Sequence, residues 1–195
     1  MNRANKIPEK THKGWYHFDD HPEFKPNLSP REVLSRGAFG GTYWRPIKSA
    51  VTKKTHENQH KKYPESWWEG IPEDRLARPI EKYDRKVNSY RVKVGKTLEF
   101  SEKNGLVAVT HPYGWFQWYC DFFFGERSKC DKKMIERWLK HSGPDGNLRL
   151  GLVKLIRYKT GDYRDPTVSP SLRQSLLHWG YHLTNKDYES GVMKL

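Results

Sequence analysis

The stretch His111-Pro-Tyr-Gly-Trp-Phe-Gln-Trp-Tyr-Cys-Asp-Phe-Phe-Phe-Gly-Glu-Arg-Ser-Lys-Cys-Asp-Lys-Lys-Met-Ile-Glu-Arg-Trp-Leu139 decides how the chain folds. Nine aromatic residues lie in it (Tyr113, Trp115, Phe116, Trp118, Tyr119, Phe122, Phe123, Phe124 and Trp138), and its charges gather in the second half. From Trp115 to Phe124 the sequence is apolar nearly all round, which predicts a helix buried on every side, with Gly125 suited to its C-terminal cap. A second helix is expected from Asp131, as N-cap, to His141, and Gly143 ends it. Met134, Ile135, Trp138 and Leu139 make its apolar face. Lys132, Lys133, Arg137 and Lys140 occupy the rest.

Toward the C-terminus, the Gly143-Pro-Asp-Gly146 turn leads into a segment from Asn147 with an apolar stripe of Leu148, Leu152, Leu155 and Ile156, closed by Gly161. Arg149, Lys154, Arg157 and Lys159 flank the stripe. Ser169-Pro170 has the form of an N-cap followed by proline at the first helical position. The helix it opens sets Leu172, Leu176, Trp179 and Leu183 on one side, and Arg173, His178 and His182 on the other. Toward the N-terminus, Ser89-Tyr-Arg-Val-Lys-Val94 alternates as a strand does, and Leu106-Val-Ala-Val-Thr110 follows the Asn104-Gly105 turn as a second strand. Further back, Ser29-Pro30-Arg31-Glu32 is a complete capping box. The expected fold is therefore α+β and mainly α-helical, with a C-terminal helical array and a small antiparallel two-stranded sheet.

Residues 29–195 fit a single globular domain. Residues 1–28 are polar and broken by Pro8, Pro22 and Pro26, and they are expected to form a flexible basic arm, unless Trp15-Tyr16-His17-Phe18 pins it to the body. The chain has 195 residues and a net charge of +13, with 36 Lys and Arg against 23 Asp and Glu. Such an excess draws polyanions, nucleic acid foremost. Two cysteines, Cys120 and Cys130, are too few for a disulfide-stapled secreted scaffold. No stretch has the length of a membrane span, and the first residues lack the apolar run of a signal peptide, so an intracellular, soluble protein without membrane partners is expected.

Four motifs, Leu34-x4-Phe39-Gly40-Gly41-x-Tyr43, Gly114-Trp115-Phe116-Gln117-Trp118-Tyr119-Cys120, Ile135-x-Arg137-Trp138 and Arg173-Gln174-x-Leu176-Leu177-x-Trp179-x-Tyr181, resemble a family of uncharacterised proteins of bacteria, viruses and eukaryotic microbes. The resemblance runs from about Leu28 to Leu183. It implies a region that folds as one unit, and it brings no catalytic residue with it.

Phosphate contacts are expected from Lys53, Lys54, Lys61, Lys62, Lys132, Lys133, Arg137, Lys140, Arg149 and Arg173, with Trp44 or Trp68 exposed to stack on bases. Tandem Trp67-Trp68 after a proline turn also suits plain core packing. Two other classes compete with nucleic-acid binding. One is an enzyme acting on nucleic acid or its bases, with Asp121, His111 or Arg137 as polar groups of an aromatic pocket. The other is a structural subunit of a large ribonucleoprotein or virion. No hydrolase or zincin motif occurs, and neither a cofactor nor a metal is expected. His178 and His182, four apart, would share a helix face, but no Cys-x-x-Cys accompanies them. The Gly40-Gly41 pair is either a structural turn or a phosphate cradle. Asp121, a carboxylate among rings, needs a partner, for which Arg127 and Arg137 are the candidates.

Overall fold

The structure, a computed structural model, describes residues 8–195. Among these residues the protein is mainly helical, with a small antiparallel two-stranded sheet. The helices are α1 (Pro30–Arg36), α2 (Leu98–Lys103), α3 (Trp115–Phe123), α4 (Asp131–Ser142), α5 (Asn147–Lys159), α6 (Pro170–His178) and α7 (Asn185–Val192). The strands β1 (Ile47–Lys48) and β2 (Thr55–His56) pair Ile47 with His56 and Lys48 with Thr55.

All nine residues of α3 are buried, and the helix packs between α1 and α4, while α5 lies against α4, α6 and α7. A helix so apolar is stable only where each polar atom on its rings finds a partner. Trp115 Nε1 donates to Met134 O at 3.1 Å, Trp118 Nε1 to Asp131 Oδ1 at 2.8 Å and Tyr119 Oη to Leu28 O at 2.6 Å. The Asp131 carboxylate also accepts from the Ser128 amide and hydroxyl, which holds the start of α4 against α3. Asp131 is thus the first residue of α4 rather than its cap, and Cys130 takes the cap position.

The sheet lies elsewhere than the alternation of residues 89–94 and 106–110 indicates. Arg91 adopts a left-handed φ of 54°, and the Asn88 side chain donates to Val92 O, so this segment curls instead of extending. Thr97 accepts from Phe100 N and starts α2 in the space between the expected strands. Of the second strand only an isolated bridge from Ala108 to His111 forms. Local capping by Asn and Thr side chains has outcompeted a strand pair too short to be stable alone. The capping box of Ser29 and Glu32 forms as read. Ser169, by contrast, is itself left-handed (φ 49°) and makes no side-chain cap, so Pro170 alone marks the start of α6. Helix α7, capped by Thr184 on Asp187 N, lies beyond the last helix expected from the sequence.

Between Pro8 and Leu28 the supposed arm is fastened to the body at several points, although many of its residues are exposed. Phe18 and Phe24 are buried, stacked on each other at 5.3 Å, and both rings meet Phe122. Asn27 exchanges two hydrogen bonds with the backbone of His182, and Arg127 binds Asp20 at 2.5 Å. Burying two phenyl rings is worth about 3–6 kcal/mol, which holds the segment onto the body. The expectation of flexibility for residues 1–7 lies outside the described residues.

The loop after α1 is the joint of the molecule. Phe39, Gly40 and Gly41 are all left-handed (φ 55°, 59° and 78°). A Cβ on Gly40 would lie 2.5 Å from the Tyr83 ring, and one on Gly41 would lie 2.8 Å from Asp74 O. Gly40 N donates to Asn88 Oδ1, Arg78 N to Gly41 O and Ser89 N to Gly37 O. The close approach that the glycines permit is therefore that of the chain's own residues 73–89, and no cradle for phosphate remains. On its other side the loop meets α6, where Phe39 N donates to His178 Nε2 at 3.1 Å and Gln174 Nε2 donates to Gly37 O.

Candidate nucleic-acid interface

The residues expected to touch nucleic acid divide into an inner and an outer group. Trp44 is 0 % exposed and sits among Tyr43, Tyr63, Trp68 and Tyr113. Trp68 is 7 % exposed and spends its Nε1 on His60 O at 2.9 Å. Neither ring can receive a base; both close the core, because a large amphipathic ring gains more from burial than from solvent. Arg149 and Arg173 are buried too. Arg149 pairs with Asp187 at 2.6 Å, and Arg173 donates to Val168 O and Tyr163 O. Their guanidinium groups satisfy backbone and carboxylate inside the helical array, which a sequence stripe cannot distinguish from an outward cation. Arg137 is half-buried, donating to Leu106 O at 3.1 Å with its guanidinium 5.7 Å from the Trp179 ring centre.

Lys62 is the cation that neutralises Asp121, in place of Arg127 or Arg137. Tyr63 Oη donates to the same oxygen of Asp121 at 2.7 Å, and His111 Nε2 faces the other at 3.4 Å. Burial raises the Asp121 pKa despite Lys62, and burial together with Lys62 lowers that of His111 to about 4. A neutral His111 with Nε2–H toward the carboxylate leaves Nδ1 to accept from the Thr110 hydroxyl at 2.8 Å. His111 and Asp121 are 1 % and 3 % exposed, and Arg137 is turned to Leu106 and Trp179. These groups are buried and paired, and they do not converge on an open cleft. The crevice beside Tyr90, Arg173 and His182 has no room for a water molecule. His178 ends α6, so His182 does not share its helical face, and no group of three potential ligands for a metal occurs among the described residues. No helix is long and apolar enough to cross a membrane among the described residues.

Lys53, Lys54, Lys61, Lys132, Lys133 and Lys140 form the outer group: all are exposed, and none has a carboxylate within 4.0 Å among the described residues. Side-chain bonds set five of them on neighbouring elements. Glu102 of α2 accepts from the Ser49 hydroxyl and the Ala50 amide, both at 2.8 Å, holding the β1–β2 hairpin to α2. Tyr113 Oη binds Arg45 O and His56 O at the base of the hairpin. Arg137 ties the chain after α2 to α4, and Thr110 lies 3.9 Å from Cys130 at the start of α4. Lys61 adjoins Lys62, which is joined to the same region through Asp121 and His111. Lys140 stands two turns further along α4.

Sequence reasoning missed the neighbours that this arrangement adds: exposed Lys48 on the hairpin, Lys96 and Lys103 at the two ends of α2, and Lys129 before α4. Residues 45–56 hold four cations, Arg45, Lys48, Lys53 and Lys54, and no acid, a signal that was present in the sequence. Adding 96–103 and 129–137 gives ten cations, of which Arg45 and Arg137 are half-buried and donate to the Thr42 and Leu106 carbonyls, against Glu99, Glu102, Asp131 and Glu136. Glu102 and Asp131 are already occupied by hydroxyl, amide and indole donors. Compared with family models, with curated proteins and with solved structures, the chain matches none.

Proposed function

We propose that the chain binds DNA or RNA through the basic surface formed by the β1–β2 hairpin, α2 and the first half of α4. The observation that carries this reading is the asymmetry of ten cations against four acids on elements that side-chain bonds draw together. Exposed lysines without a carboxylate neighbour are free to release counterions from a phosphate backbone, the main source of affinity for polynucleotides. Arg149, Arg173, Trp44 and Trp68 have no part in it, since each is buried in the core.

Binding of a labelled polynucleotide, measured across a salt series, tests the proposal. Affinity should fall linearly on a log–log plot, and replacing Lys53, Lys54, Lys132 and Lys133 together by Gln should reduce the slope by about 3, at ~0.7–0.9 for each phosphate that is no longer neutralised. Binding that ignores salt, or no binding at low salt, sinks it.

A further inference from the structure

We infer that the nucleic acid is taken up as a single strand, with a base stacked on Phe100; this rests on the proposed basic surface. Phe100 is 44 % exposed although it lies on α2, one of the elements of that surface. Lys96 Nζ stands 5.1 Å from its ring centre, and Lys103 closes the same helix. Glu102 fastens α2 to the acid-free hairpin carrying Lys48, Lys53 and Lys54, so the helix that bears the ring adjoins these cations. An aromatic face with flanking lysines is the arrangement that holds unpaired bases: the ring takes the π-face of any base while the ammonium groups follow the backbone. A duplex offers no such face along its length, because its bases are already stacked on one another. Tyr158 is more exposed at 87 %, but it lies on α5, which is not among the elements of the proposed surface.

The experiment uses the full chain and mixed-sequence oligonucleotides of about 12 nucleotides, as DNA and RNA, single-stranded and as duplexes. Single strands of at least one kind should bind about 10-fold or more tightly than the corresponding duplex. Phe100→Ala should lower single-strand affinity by roughly 5- to 100-fold and leave duplex affinity and salt slope unchanged. Phe100→Trp should restore binding, and Tyr158→Ala should bind as the parent does. Thermal melts verify that the variants fold, as substitution at a ring this exposed should allow. Single strands bound equally well by the parent and Phe100→Ala, or no better than duplexes, overturn the inference while the basic surface stands. Failure of every oligonucleotide to bind at low salt overturns the proposed function itself.

Discussion

Residues 115–192 and residues 8–110 share one core yet are held together differently. The first region is five helices, α3 to α7, whose backbone groups satisfy one another within each element. The second contains α1, α2, a hairpin of two-residue strands and a series of 3₁₀ turns, and its backbone depends on side chains. Asn88 serves Gly40 N and Val92 O, Glu102 serves Ala50 N, Gln174 serves Tyr90 N and Gly37 O, and His178 serves Phe39 N. The helical region is therefore sensitive chiefly to the loss of volume, and the irregular one to the loss of a single partner or of a permissive backbone.

Removing a ring from α3 should have the largest effect. Trp118→Ala deletes a side chain 1 % exposed and leaves Asp131 without its indole donor, so a loss of about 4 kcal/mol is expected in urea unfolding. Gly40→Ala comes next, at about 3 kcal/mol, because it combines a left-handed φ of 59° with a Cβ 2.5 Å from Tyr83. Gly105→Ala, at a φ of 63° with open space around it, should cost only about 1 kcal/mol. Hydrogen exchange sharpens the contrast: Gly40→Ala should release residues 73–92 while α3 keeps its protection. Equal loosening of both regions would show that they do not differ in the way described.

The joint between the regions should respond to acid. His178 Nε2 accepts from Phe39 N and faces Gln174 Nε2, so the imidazole must be neutral there, and burial lowers its pKa from 6.5 to about 3. The unfolded chain binds this proton below pH 6.5 and the folded chain does not until about pH 3. Stability is thus full above 6.5 and falls as pH drops through that window, by up to about 1.4 kcal/mol per pH unit from this group. His178→Gln, which keeps an acceptor but cannot titrate, should flatten the slope in denaturant midpoints measured from pH 7 to 4; an unchanged slope would place the acid sensitivity elsewhere. Ser29→Ala, at the N-cap of α1, should have the smallest effect, about 1 kcal/mol, through loss of the capping box.

Much of the helical region was legible in the sequence. The all-round apolar run 115–124, the amphipathic period of 131–141 and the Pro at 170 each report a local backbone preference that tertiary packing then reinforces. Helix α7 escaped notice because it is short and Thr184 was its main signal. The irregular region was misread where alternation suggested strands, since Asn88 and Thr97 bind nearby backbone and bend the chain instead. Of the proposed basic surface, the charge of Lys53, Lys54, Lys132 and Lys133 is visible in the sequence, and their exposure is visible in the structure. That Lys62 turns to Asp121, and Arg149 to Asp187, could not be read from the sequence, because both partners come from distant parts of the chain.

By itself the amino-acid order determined that a ring-rich centre would be buried, that helices would form around it and that positive charge would exceed negative. Those properties follow from hydrophobic period, caps and composition, which act within a few residues. Only the tertiary structure decided which cations stay outside, that Trp44 and Trp68 are core, that Phe18 and Phe24 fasten the N-terminal segment, and that Gly40 and Gly41 admit the chain's own backbone. Each of these depends on groups far apart in sequence meeting in a closely packed interior, where one position is filled by one partner and refused to all others.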